Sequence, residues 1–209
     1  MNLKDRYFYI EFEILSLDRF EYFQKMFEKL KIIKNDWMNI CDSEKEESNL
    51  DYQDPIEDFN WYSYLDNEAK AWFEDTFDYD SEEGIVYQKL CNLTHYEHRL
   101  HPFLRTPGNW DLESMLHSIF CGEYCLIKLV RQENNREENN RGCLYYEPMG
   151  HPFGGSDSLV ELIRAFGNRV IYDFYHENDN LKIESQWNYE LAKELVKKGI
   201  GFTPDILNN

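Results

Sequence analysis

The chain has 209 residues, of which 42% are hydrophobic and 16% aromatic, and it carries a formal net charge of −18. This share of large apolar side chains can bury enough surface to offset the entropy of folding, which excludes a largely disordered chain. Phosphate contacts require clustered lysine and arginine, so the acidic balance also argues against direct nucleic-acid binding.

The N-terminal region predicts a strand followed by a helix. Residues 6–14, RYFYIEFEI, are rich in aromatic and β-branched types with partial alternation, which is typical of a strand. Ser16 or Asp18 can then cap a helix. Its apolar residues recur at the spacing of one helical face, at Phe20, Phe23, Phe27 and Leu30.

The next segment, residues 42–83, concentrates the negative charge of the chain. It contains 16 acidic and two basic residues, a net charge of −14, interleaved with nine aromatic side chains. Disordered acidic tracts are usually poor in aromatic residues, so we expect the rings to anchor this segment on a core or on a partner. Within it, Asp66 or Asn67 can cap a short helix over AKAWFEDTF, and a second helix is expected near 82–93.

The second half of the chain predicts a helix and a hairpin. Asn109 or Asp111 can cap a helix that ends at Gly122, where we expect a left-handed C-cap. Strands over 123–132 and 143–147 then enclose the polar loop NNREENNRG.

The stretch HPFGGSDS, residues 151–158, leads into another helix. The Gly154-Gly155 pair resembles a phosphate-binding loop only superficially, because it lacks a P-loop lysine, and we expect a simple turn. Ser158 and Glu161 have the spacing of a capping box. Gly167 ends this helix, and a strand over 169–175 follows, so 143–175 fits a strand–helix–strand crossover.

Together these elements predict an α+β fold. A single mixed sheet, with strands near 6–14, 123–132, 143–147 and 169–175, packs against several amphipathic helices. The last helix starts after Ser185 or Asn188 and stops at Gly199. We expect one domain over residues 1–209, with the acidic, aromatic-rich segment at 42–83 as part of it.

Metal binding and thiol chemistry receive little support from the sequence. The run containing His95, Glu97 and His98 is the best metal candidate, and it is weak because Pro102 opposes helical geometry around the third histidine, His101. The five cysteines form no Cys-x-x-Cys pair, which favours free thiols in a reducing compartment. No signal-peptide pattern or apolar run of about 20 residues is present, so we expect a cytoplasmic protein without cofactors or a membrane partner.

The charge pattern suggests a binding function more than catalysis. The leading hypothesis is a non-enzymatic acidic protein that sequesters or inhibits a basic protein, possibly an immunity protein against a nuclease-like toxin. Its predicted contacts with the partner are made by Trp61, Trp72, Glu74, Asp75, Asp78 and Asp80.

The alternative hypothesis is a small-ligand-binding protein or an enzyme with its site at the 148–158 loop. Its candidate residues are His151, Ser156 and Asp157. It predicts a concave pocket at this loop, lined by a few convergent polar groups.

Overall fold

The computed structural model describes residues 3–43, 54–74, 76, 81–93, 110–132, 140–150, 153–176 and 189–199. The strands are β1 Phe8–Glu13, β2 Tyr124–Gln132, β3 Arg141–Pro148 and β4 Arg169–Asp173. The helices are α1 Leu17–Ser43, α2 Asn67–Glu74, α3 Glu82–Leu93, α4 Leu112–Cys121, α5 Asp157–Ala165 and α6 Tyr189–Lys197. The predicted α+β class is confirmed, and every predicted strand lies within two residues of an observed one at each end.

The four strands form one sheet in the order β2-β3-β1-β4. The sheet was expected to be mixed, and all three neighbouring pairs are antiparallel. Because β3 and β4 are both antiparallel to β1, they run in the same direction on either side of it, and α5 connects them. The predicted crossover is therefore present in the split β-α-β form, with β1 inserted between its two strands.

The main core lies between the sheet and the helices. On β1, Ile10 and Phe12 point into it, whereas the alternating Tyr9 and Glu11 lie on the opposite face. The predicted apolar face of α1 is confirmed, since all four of its residues are buried: Phe20, Phe23, Phe27 and Leu30. A smaller cluster joins α3 and α6 through Val86, Ala192 and Val196. None of the helices in the described part of the chain is long and apolar enough to cross a bilayer.

A buried lysine on α1 supports the C-terminal end of α4. Lys34 is 0% exposed, and its ammonium donates to the carbonyl oxygens of Ile119 at 2.6 Å and Gly122 at 2.7 Å. The same ammonium lies 4.6 Å from the centre of the Tyr124 ring. Burial lowers the pKa of Lys34 to about 8. A cation in this position satisfies carbonyls that the helix leaves unpaired and faces the negative end of its dipole.

Gly122 differs from its prediction. It is the C-cap of α4, with φ −65° and ψ 128°, so its backbone is extended and the predicted left-handed C-cap is wrong. Glycine is required here for space, because a Cβ would lie 2.3 Å from a carbon of the Tyr124 ring. By contrast, Gly167 and Gly199 stop α5 and α6 in the left-handed region, at φ 72° and 61°, as the sequence indicates.

Candidate functional site

Residues 54–74 of the acidic segment are folded onto the body of the protein. At its start, the Asp54 carboxylate accepts hydrogen bonds from the backbone amides of Ile56 at 2.7 Å and Glu57 at 3.2 Å. The carboxylate of Asp58 accepts one from the backbone amide of Asp54 at 2.7 Å. Two of the acidic side chains therefore shape a local turn, which is a common use of aspartate.

Trp61 is 2% exposed and lies within the main core. Its indole nitrogen donates to the carbonyl oxygen of Pro55 at 2.7 Å, and its ring centre lies 5.9 Å from that of Phe120 on α4. Trp61 was predicted to contact a partner. Its ring anchors the acidic segment to the chain's own core and is almost fully covered by it, so little of the ring is left for a second protein.

Arg19 of α1 fixes the start of α2. Its guanidinium donates to the carboxylate of Asp66 at 2.9 Å, to that of Glu68 at 2.6 Å and to the carbonyl oxygen of Ala165 at 2.7 Å. Asp66 also accepts from the backbone amide of Ala69 at 2.7 Å, which makes it the N-cap of α2. Two acids of the segment thus share one positive charge from within the chain.

Trp72, also predicted to contact a partner, is partly buried on α2. Its indole nitrogen donates to Oε1 of Glu161 at 2.8 Å, and the backbone amide of Trp110 donates to the same oxygen at 3.2 Å. Glu161 is 3% exposed, and burial raises the pKa of its carboxyl. Trp72 therefore has a structural partner on α5, although part of its side chain reaches the surface.

The acidic residues predicted to contact a partner are only partly covered by the structure. Glu74 is exposed at the end of α2. Asp75, Asp78 and Asp80 lie outside the described residues. The clustering of these four carboxylates stays a prediction.

A groove runs between the turn region 56–62 and the N-terminal end of α4, with a volume of about 390 Å³. Three of the lining residues are acidic: Glu57, Asp111 and Glu113. No lysine or arginine is among the described residues that line it. Its apolar and aromatic lining consists of Ile56, Phe59, Trp61, Tyr62, Leu112 and Leu116.

The rim of the groove combines exposed charge with an exposed ring. Tyr62 is 45% exposed, and Glu57 and Glu113 are also exposed. Asp111 caps α4 by accepting from the backbone amide of Ser114 at 2.7 Å. The ammonium of Lys29 lies 4.9 Å from the centre of the Phe59 ring, so the chain already supplies a cation to that ring. This leaves Tyr62 as the exposed aromatic side chain of the groove.

The sequence did not point to this groove. In the sequence, Asp111 is a candidate helix cap and Glu57 is one of the 16 acids of residues 42–83, and neither pattern indicates a groove. These residues meet because Trp61 packs on Phe120, which brings the turn region against α4. A local spacing pattern cannot predict a contact between residues more than 50 positions apart in the sequence.

The structure describes two of the three candidate residues of the 148–158 loop. Gly154 and Gly155 have φ values of 93° and 81°, which confirms the predicted turn. Ser156 is 0% exposed and donates to the carboxylate of Asp173 at 2.5 Å, so it lines no open pocket. Asp157 is partly buried in the first turn of α5, and His151 lies outside the described residues.

The predicted capping box of α5 is wrong. The helix starts two residues earlier than expected, at Asp157, with Ser156 rather than Ser158 at the N-cap position. Ser158 instead lies 3.3 Å from the hydroxyl of Tyr124, between their oxygens, and Glu161 binds Trp72 and Trp110. Both side chains are buried because this face of α5 packs inside the protein, where tertiary partners replace the local cap.

The predicted metal candidates His95, Glu97 and His98 lie outside the described residues. Within the part of the chain that the structure describes, no group of three or more histidine, cysteine, aspartate or glutamate side chains could hold a metal ion.

Comparison with known proteins adds no functional information. No protein-family model matches the chain, and neither the curated proteins nor the solved structures include a significant match. The chemistry of the groove is therefore the basis for assigning a function.

Proposed function

We propose that this protein is a non-enzymatic binding protein that captures a basic protein by seating a lysine or arginine side chain in the groove between residues 56–62 and α4. The observation that carries the proposal is the lining of the groove, which combines three acidic residues with apolar and aromatic side chains and has no basic residue among the described lining. The narrower form, an immunity protein against a nuclease-like toxin, stays a prediction.

The electrostatics favour a cationic occupant. A net charge of −18 attracts a basic protein over long range and accelerates the encounter. At short range, Glu57 and Glu113 are exposed and can pair with an ammonium or guanidinium group. An anionic ligand would face repulsion from both the groove and the whole chain.

The apolar part of the groove suits the stem of the same side chain. Lysine and arginine carry three or four methylene groups that pack on apolar surfaces while the charged end stays near water or a carboxylate. The partly exposed side chains of Ile56 and Phe59 supply such a surface in the groove, and the exposed ring of Tyr62 offers a cation–π contact. Arginine is favoured because its planar guanidinium both stacks on rings and binds carboxylates in a bidentate manner.

The proposal can be tested with a defined peptide. We expect a fluorescein-labelled nonapeptide with one central arginine in a glycine–serine background, flanked by two lysines, to bind the protein in a fluorescence anisotropy titration. Replacing the arginine by citrulline keeps its shape and removes its charge, and it should weaken binding. The double substitution Glu57→Gln/Glu113→Gln should weaken binding of the arginine peptide by about 5- to 10-fold, because each exposed ion pair contributes up to about 1 kcal/mol.

A matched control separates groove binding from general attraction. Glu21→Gln/Glu194→Gln removes the same two charges from exposed positions on α1 and α6 that do not line the groove. It should change the affinity by less than about 2-fold at 0.15 M salt, where distant surface charges are screened. Equal losses for the two double variants would mean that the peptide responds only to net charge, and the proposed site would be refuted.

A further inference from the structure

The groove has two walls, formed by residues 56–62 and by the N-terminal end of α4. One buried carboxylate oxygen accepts hydrogen bonds from two residues, one in the segment after the first wall and one directly before the second. Oε1 of Glu161 accepts the indole N–H of Trp72 at 2.8 Å and the backbone N–H of Trp110 at 3.2 Å. Trp72 lies on α2, and Trp110 directly precedes the N-cap of α4. Glu161 itself is on α5 and lines no part of the groove.

Each donor belongs to a chain segment that leads to or from one wall. The wall formed by residues 56–62 continues through the short helix Trp61–Tyr64 and only two further residues before α2 begins. The other wall begins with Asp111, which is bonded to Trp110 along the backbone. A shift of Trp110 therefore displaces Asp111 directly, whereas a shift of Trp72 reaches the other wall only through α2 and the residues that precede it.

We propose that Glu161 is a positioning residue for the groove, which restrains both walls in addition to the Trp61–Phe120 contact and does so without touching the occupant. The inference rests on the proposed function and assigns to it a residue that lies outside the binding surface. Glu161 is well suited to this role because it is 3% exposed and lies on a helix whose neighbouring residues are also buried. Its carboxyl group thus has a fixed location from which it can hold both donors.

Other contacts keep the acidic segment attached when Glu161 is changed. Arg19 still binds Asp66 and Glu68, and Trp61 still packs against Phe120. Loss of the Glu161 bonds should therefore loosen the far end of α2 and the entry to α4, while the fold persists. We then expect the distance between residues 56–62 and α4 to vary more. A ligand that contacts both walls should therefore bind more weakly, because ordering the groove costs more.

Two substitutions at position 161 separate hydrogen bonding from charge. Glu161→Gln keeps an oxygen acceptor at the same place, and we expect it to bind the arginine peptide within 2-fold of the unaltered protein. Glu161→Leu removes the acceptor and should weaken peptide binding by about 5-fold. In ¹H–¹⁵N spectra, the indole resonance of Trp72 and the amide resonance of Trp110 should both move in Glu161→Leu and stay close to their positions in Glu161→Gln.

The control for general destabilisation is Ile163→Val, a change at a buried position on the same helix that leaves the Glu161 bonds intact. It should leave peptide affinity unchanged. In the Glu57→Gln/Glu113→Gln background, Glu161→Leu should cause less than a 2-fold further loss, because a positioning effect acts through the groove carboxylates. A purely structural role would give the same loss in both backgrounds.

The outcomes distinguish the two proposals. If the arginine peptide fails to bind the unaltered protein, the proposed function fails and this inference fails with it. If binding depends on Glu57 and Glu113 but Glu161→Leu binds equally well, only the inference is overturned. Should Glu161→Leu not fold, Trp72→Phe removes one donor and keeps an aromatic ring. It should weaken binding about 3-fold, and unchanged affinity would overturn the inference.

Discussion

Replacing Lys34 by methionine removes the buried charge beneath the C-terminal end of α4 and keeps a side chain of similar length. The pKa of Lys34 falls from 10.5 to about 8, chiefly because burial penalises the charged ammonium. At 1.36 kcal/mol per pH unit, this difference corresponds to about 3 kcal/mol of stability. The hydrogen bonds to the carbonyls of Ile119 and Gly122 offset only part of the cost of burial.

The sign of the pH dependence follows from the lowered pKa. Below pH 8, Lys34 is charged in both the folded and the unfolded chain, so the cost of burying the charge is fully present. Between about pH 8 and 10.5, the folded chain has released the proton while the unfolded chain still holds it. The free energy of unfolding of the natural protein, relative to Lys34→Met, should therefore rise by about 3 kcal/mol across this window.

Urea denaturation of both proteins at pH 7, 8, 9 and 10 measures this difference directly. Other titrating groups contribute nearly equally to the two proteins and cancel when one curve is subtracted from the other. The variant also leaves α4 carbonyls without a donor, which costs about 1–3 kcal/mol. This cost shifts the difference in free energy of unfolding at pH 7 and does not change how that difference depends on pH. A difference that stays constant within about 0.5 kcal/mol from pH 7 to 10 would refute the lowered pKa and the role assigned to burial.

Two further predictions concern the backbone and the thiols. Gly167→Ala should cost about 2 kcal/mol or more in urea denaturation, because φ is 72° and the new Cβ would lie 2.2 Å from the Arg19 guanidinium. Gly199→Ala, also at positive φ but with no atom within 4 Å, should cost about 1 kcal/mol, and equal losses would contradict the steric argument. Iodoacetamide at pH 8 should modify exposed Cys121 in the folded protein, whereas Cys143, which is 0% exposed and has a pKa raised to about 11 by burial, should react only after unfolding. Mass spectrometry of the labelled peptides checks this order, and early labelling of Cys143 would show that β3 is accessible.

Local sequence patterns predicted the helices and strands of this fold because apolar spacing, helix caps and glycine turns each depend on residues that are close together in the sequence. The helical spacing of the apolar residues of α1 reflects the single face that it buries, and Asp111 caps α4 as its position indicates. Gly154 and Gly155 turn the chain at positive φ, where glycine has no Cβ penalty. Each of these signals depends on neighbours within a few residues, so one sequence suffices to find it.

The polar residues that organise the interior could not be predicted in the same way. Lys34 continues the spacing of the apolar face of α1, four residues after Leu30, but the sequence does not show that its ammonium meets the carbonyl oxygens at the end of α4. Glu161 matches the spacing of a capping box, yet its partners come from α2 and from the entry to α4. In both cases a tertiary contact determines the role, and the segment that supplies the contact is far away in sequence.

The acidic residues of the described segment also differ in whether their hydrogen-bond partners lie within the chain. Asp54, Asp58 and Asp66 accept hydrogen bonds from the chain itself and hold the segment in place. Glu57 is exposed at the groove and meets Glu113, which the sequence places outside the acidic segment. Net charge does not distinguish the two groups, yet the three aspartates can pair with a ligand only by breaking an internal hydrogen bond, whereas Glu57 and Glu113 are exposed. Affinity for a basic partner should therefore follow the carboxylates of the groove rather than the total charge of the chain, since the internal group is already committed to the fold.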